Sequence, residues 1–159
     1  MTKPDRLRRC CFTGHRPQKL VRREEEIKDS LEREILRAVA DGFDTFITGM
    51  AQGVDLWAGE IILRLRQENP GLGLIAALPY PDCERHWTAP WRRLFAQVLK
   101  GADQVVCLSP RYSRAVYLKR DQWMVDQSAR VIAVYEGAPG GTQDTIAHAK
   151  EKGVEIKYA

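Results

Sequence analysis

The stretch Phe46-Ile47-Thr48-Gly49-Met50-Ala51-Gln52-Gly53-Val54-Asp55 carries the residue types that hold an anion. An apolar run stops at Gly49, a small-residue loop carries Gly53, and an amphipathic run starts at Val54. Read as strand, turn and helix, this leaves unpaired backbone N–H groups at a helix start, where hydrogen bonding and the helix dipole both favour negative charge. Gly49 and Gly53 let the backbone bend and approach a ligand with no Cβ between them. Phosphate is the candidate. Read otherwise, the same residues are an ordinary strand-to-helix connection whose glycines serve the turn.

Charge points toward the anion. Residues 14–23 include Arg16, Lys19, Arg22 and Arg23 and no acid; residues 109–120 include Arg111, Arg114, Lys119 and Arg120, again with no acid. The two runs carry +8 against a net charge of +4, so the remainder stands at −4 and the basic character is local. Local positive charge beside glycine turns suits a compact anion. Arg111 is the residue of the second run counted among the ligand contacts.

Strands that end at these loops must position them. Residues 9–13 read as a first strand stopped by Gly14, with Pro17 keeping the following loop extended. Ile27, Leu31, Ile35, Ala38 and Val39 recur at helical steps over residues 23–40, and Asp41-Gly42 closes that helix. A second strand at 45–48 feeds the central loop and a helix over 54–67. Residues 72–78 are apolar at nearly every position, as in strands covered on both faces. A helical stripe from Trp91 through Leu99 that ends at Gly101, strands at 104–108 and 130–135, helices at 119–128 and 142–152, and a last strand at 155–158 complete the alternation. Such alternation calls for a mostly parallel sheet with helices on both faces, a Rossmann-like three-layer sandwich forming a single domain over residues 1–159. Ligands bind such sheets at the C-terminal strand ends, where strand order reverses. In the common order 3-2-1-4-5-6 the reversal falls between strands one and four, the two strands followed by the basic runs.

Composition removes other classes. With 44% apolar and 29% charged residues in 159, the chain is neither disordered nor fibrous. The apolar run at residues 72–79 is too short to cross a bilayer, and Lys3, Arg6, Arg8 and Arg9 are followed by no signal-peptide apolar region, so a cytoplasmic protein is expected. Cys10, Cys11, Cys83 and Cys107 lack C-x-x-C spacing and His15, His86 and His148 are scattered, so no metal site is expected.

Four ordered motifs resemble the YpsA-like family of the SLOG superfamily: Phe12-Thr13-Gly14-His15-Arg16-Pro17, Ile47 to Asp55, Met124-Val125-Asp126, and Pro139-Gly140-Gly141-Thr142. The superfamily is a Rossmann-like group that includes the nucleotide-binding domain of the DNA-processing protein A and the lonely-guy phosphoribohydrolases. The resemblance covers the chain from about Cys10 onward and implies a bound nucleotide or nucleotide-derived, ADP-ribose-like ligand. It implies that Thr13, Gly14, His15 and Arg16 line one side of the pocket, that Gly49, Met50, Gly53 and Asp55 form its floor, and that Gly140, Gly141 and Thr142 supply a second phosphate-binding helix start. Asp55, an acceptor-only carboxylate, would hold ribose hydroxyls; equally, it is an acid well placed against a helix dipole. Asp126 is either a pocket group or a solvated one, and Trp123 either stacks on a base or fills the core, the core being favoured. Lonely-guy enzymes carry a Pro-Gly-Gly-x-Gly-Thr-x-x-Glu stretch whose glutamate serves the chemistry; here Thr142 follows Gly141 directly and Asp144 is the nearest acid.

Three functions follow as expectations. The first is binding or sensing of a phosphorylated nucleotide-type ligand. The second is cleavage of a nucleotide N-glycosidic bond, with Asp55, Asp126 or Asp144 as the acid. The third is single-stranded nucleic-acid binding, for which Tyr112 and Tyr117 lie in the second basic run; a net-negative remainder favours a compact anion over a polymer. A homodimer through an apolar helix face is left open by the sequence, and no resident cofactor is assigned.

Overall fold

A computed structural model describes residues 4–159; Lys3, the start of the basic N-terminal cluster, lies outside the described residues. After a short 3-10 turn at Asp5–Arg8 the chain runs β1 (Arg9–Gly14), α1 (Glu24–Ala40), β2 (Thr45–Thr48), α2 (Val54–Arg66), β3 (Gly73–Leu78), α3 (Ala89–Gly101), β4 (Gln104–Cys107), α4 (Val116–Asp126), β5 (Arg130–Val134), α5 (Gly141–Lys152) and β6 (Glu155–Tyr158). The strands form one six-stranded sheet in the order β4-β3-β2-β1-β5-β6, and every neighbouring pair is parallel.

Two apolar layers sandwich that sheet, as the alternation of strand side chains requires. Cys10, Phe12, Phe46, Leu74, Ala76 and Ile132 pack against the apolar stripes of α1, α2 and α3. Their sequence neighbours Cys11, Ile47, Ile75, Ala77 and Val131 face the opposite way, against Met124 and Val125 of α4 and Ala149 of α5. Trp123 packs at the edge of this second layer, partly buried, so it belongs to the core as expected. β4 departs from the pattern: it forms the outer edge beyond β3 and is largely exposed, Val105 included.

Strand order corrects one expectation. The strand beside β1 is β5, not the fourth, because the chain fills one side of β1 with three successive strands before it crosses back. Order therefore reverses between β1 and β5, and the loop after β4 starts at the far edge. α4 carries the chain back across the sheet from there, so its first turns reach the reversal point while residues 109–115 stay outside. Two local readings also shift. α4 begins at Val116, ahead of the expected residue 119, because its buried stripe starts there and continues through Arg120 and Met124. Arg16 is extended (φ −63, ψ 154), as a residue before proline must be, but Pro17–Lys19 then forms a single 3-10 turn.

Candidate functional site

Where β1 and β5 diverge, a cavity of about 230 Å³ opens at the C-terminal edge of the sheet. Its walls come from four places: Thr13 to Arg16 with Lys19 after β1, Ala51 and Asp55 around the start of α2, Tyr117, Arg120 and Asp121 of α4, and Gly140 to Thr142 at the start of α5.

The floor is built by the loop between β2 and α2. Thr48 Oγ1 donates to the Asp55 carbonyl at 2.7 Å and accepts from the Met50 N–H at 3.3 Å, which locks the turn. Met50 sits at φ 61 and Gly53 at φ 93, left-handed conformations that only surrounding structure holds at a methionine. Gly53 lies under Pro17, and a Cβ there would meet the proline ring at 3.0 Å. Gly14 lets α2 close onto β1, since a Cβ would fall 2.4 Å from Val54 Cγ2. Asp55, nearly buried, turns back to accept from the Ala51 N–H at 3.3 Å.

Opposite it, α4 contributes a buried cation. Arg120 is 6% exposed. Its Nη1 donates to the Gly49 carbonyl at 2.9 Å, and Nε and Nη2 both reach Asp121 Oδ1 at 3.0 Å. Gly49 makes room for this arrangement, because a Cβ would stand 2.7 Å from Asp55 Oδ2 and 3.0 Å from Arg120 Nε. Burial opposes the charge of Arg120, but Asp121 and Asp55 outweigh it and the group stays cationic. Burial pushes the Asp55 carboxyl up to about 6, with Arg120 pulling it down and Asp121 pushing it further up. Asp121 Oδ2 in turn accepts from Thr145 Oγ1 at 3.4 Å, tying α4 to α5.

The third wall is held by Glu136, just after β5. Its carboxylate accepts from the N–H groups of Val21 and Arg22 at 2.6 and 3.3 Å and from Arg22 Nε at 3.2 Å. Burial opposes its ionisation, yet these donors hold its pKa below the usual carboxylate range. The segment that follows β1 is thereby fastened to the loop that precedes α5. His15 completes the fastening, accepting from the Glu136 N–H through Nε2 at 3.2 Å. Burial lowers the His15 pKa, with Glu136 opposing and Lys19 assisting, so the ring is neutral at pH 7; with Nε2 as acceptor, its proton is on Nδ1. Gly140, at φ 137, opens α5, and Lys19 Nζ lies 3.4 Å from where its Cβ would be. Gly141 and Thr142 follow in the first turn, whose N–H groups have no partner within the helix.

Of the expected residues, Thr13, Gly14, His15, Arg16, Asp55, Gly140, Gly141 and Thr142 meet around the one cavity. Gly49, Met50 and Gly53 lie beneath it as shaping residues rather than as its lining. Arg111 is exposed on the far loop, and Asp144 is exposed on α5 away from the lining. Asp126 is at the other end of α4, 2.9 Å from His148 Nε2. From the sequence, Lys19 and Arg120 stand out only as members of the basic runs and Tyr117 only as an aromatic of the second, while Asp121 does not stand out at all. A signal for Arg120 was there: it falls between Val116 and Met124 on a four-residue stripe that is otherwise apolar. Among the described residues, no three His, Cys, Asp or Glu side chains gather as a metal ion would need, and no helix is long and apolar enough to cross a membrane.

Comparison with known proteins gives three results. The model of the YspA SLOG family matches residues 10–158. A UPF0398 protein of Bacillus cereus (strain B4264) is 32% identical over 135 residues, covering 83% of this chain and 73% of its own. Another, of Halalkalibacterium halodurans, is 27% identical over the same length, covering 83% and 71%. Among solved structures, the DNA processing protein A from Helicobacter pylori, described for its single-stranded DNA binding mode, superposes with a TM-score of 0.63 at 16% identity. The match covers 97% of this chain but 65% of that one, so this chain spans just under two thirds of its length, and the likeness is one of fold.

Proposed function

The chain belongs to the YspA SLOG family, and from that premise we propose that its cavity binds a nucleotide or nucleotide-derived ligand of the ADP-ribose kind, phosphate innermost. The observation that carries this is the convergence of a buried Arg120 with the open first turn of α5 on one cavity at the sheet's reversal point. Arg16 and Lys19 add positive charge from the β1 side. Asp55, across the cavity, accepts hydrogen bonds and suits ribose hydroxyls. Titration of the purified protein with AMP, NAD and ADP-ribose tests the reading. At least one should bind, and Lys19→Glu, at an exposed rim position, should weaken that binding about tenfold or more by placing a carboxylate against the phosphate. Failure of all of them to bind would sink it.

A second reading, hydrolysis of an N-glycosidic bond, has one observation in its favour. Of the acids Asp55, Asp126 and Asp144, Asp55 lines the cavity, and its raised pKa suits proton transfer near neutral pH. Release of free base from a nucleoside monophosphate, abolished in Asp55→Asn, would establish it; no release from any of the common ones would remove it.

A further inference from the structure

The cavity is smaller than the 300–1,000 Å³ usual for sites that enclose a whole drug-sized ligand. A cavity of that size has room for a phosphate and a ribose, so that whatever is attached to the ribose would leave by the mouth. Tyr117 forms part of that mouth, with Arg16 and Arg120 guanidinium carbons 5.7 and 5.6 Å from its ring centroid. Behind it stand two more rings. Tyr80, from the loop after β3, and Tyr112, from the loop after β4, each lie edge-on to Tyr117 at 6.4 Å and to one another at 5.6 Å.

The three rings are not equivalent. Tyr80 and Tyr117 are partly buried and hold one another; hydrogen bonding to Tyr117, with burial second, pushes the Tyr80 phenol up to about 12. Tyr112 is 60% exposed, so it fills no core, while its two edge contacts fix its ring relative to the cavity. An ordered, exposed aromatic face one ring away from a cationic cavity is the arrangement on which a nucleobase stacks.

We propose that Tyr112, braced by Tyr80 and Tyr117, is the base-stacking platform of this site, so that the ligand is a nucleotide with its aromatic base outside the cavity rather than a sugar phosphate alone. This rests on the binding function proposed above and adds the base to it. Arg111 and Arg114 flank the platform and are exposed.

AMP and ribose 5-phosphate differ by the base alone, and their binding to wild type, Tyr112→Ala and Tyr112→Trp separates the two ideas. Wild type should bind AMP more tightly than ribose 5-phosphate. Tyr112→Ala should weaken AMP about fivefold or more and leave ribose 5-phosphate within twofold. Tyr112→Trp should keep AMP binding. Equal AMP affinity in wild type and Tyr112→Ala, with ribose 5-phosphate still bound, overturns the platform and spares the cavity. Equal loss of both probes in Tyr112→Ala makes the tyrosine a structural brace and also overturns it. Failure of wild type to bind either probe overturns both readings. Binding of a short oligothymidylate in place of AMP replaces the mononucleotide with single-stranded nucleic acid as the occupant.

Discussion

Asp55 carries a proton more readily in the folded chain than in the unfolded one, and that has a sign that can be measured. Its ordinary value near 3.8 rises to about 6, so the folded state is favoured by protonation. The stabilisation is complete below pH 4 and is lost as pH rises through 6, a difference of about 3 kcal/mol from the linkage relation. Denaturant midpoints at pH 4, 5, 6 and 7 for wild type and Asp55→Asn should show this: the gap between the two curves moves in favour of the Asn variant as pH rises and is flat above 7. A pH-independent gap would mean that Arg120 cancels the burial of Asp55. Gly49 is tested from the same contacts. Gly49→Ala pushes a methyl into Asp55 and Arg120 and should cost about 1–3 kcal/mol, read by urea unfolding, with ligand binding reduced in parallel. At this scale the sequence showed the glycine turns and Asp55, whose local motifs can be read in one stretch. Arg120 and Asp121 were harder to see, because the last residue of a basic run followed by an acid reads as solvated surface until the helix phase is known.

Segments rather than single atoms decide whether the cavity stays formed. Glu136 fastens residues 15–22 to the start of α5 through the Val21 and Arg22 N–H groups. Glu136→Ala should leave the sheet intact while amide exchange at Val21 and Arg22 rises about tenfold or more and AMP binding weakens; unchanged exchange would show that His15 alone suffices. Periodicity located every helix and strand of the sheet to within a few residues, since stripes at 3.6 and alternation at 2 survive without tertiary knowledge. Strand order did not follow from that pattern. β4 and β5 look alike as short apolar runs, and only the path of α4 tells which lies beside β1. The Arg111 expectation was tied to that order: with β4 at the outer edge, Arg111 falls outside the cavity lining and α4 supplies the cation there.

Across the whole molecule, Arg16, Lys19 and Arg120 at the cavity carry +3 of a net charge of +4, which leaves the rest of the chain close to neutral. Attraction for a small anion is therefore short-ranged and should fall only on the order of threefold in affinity between 0.01 and 0.15 M salt, as the screening length shrinks from about 30 to 8 Å. A tenfold or steeper loss per doubling of salt, measured by titration at several ionic strengths, would mark a polyanion instead. The four walls of the cavity also lie far apart along the chain, at residues 13–19, 51–55, 117–121 and 140–142. No half of the polypeptide contains it, since its walls come from elements on both sides of β1. A ligand held there would consequently act on global unfolding rather than on one loop: it would slow protease digestion throughout the chain and raise the melting temperature as a single cooperative step.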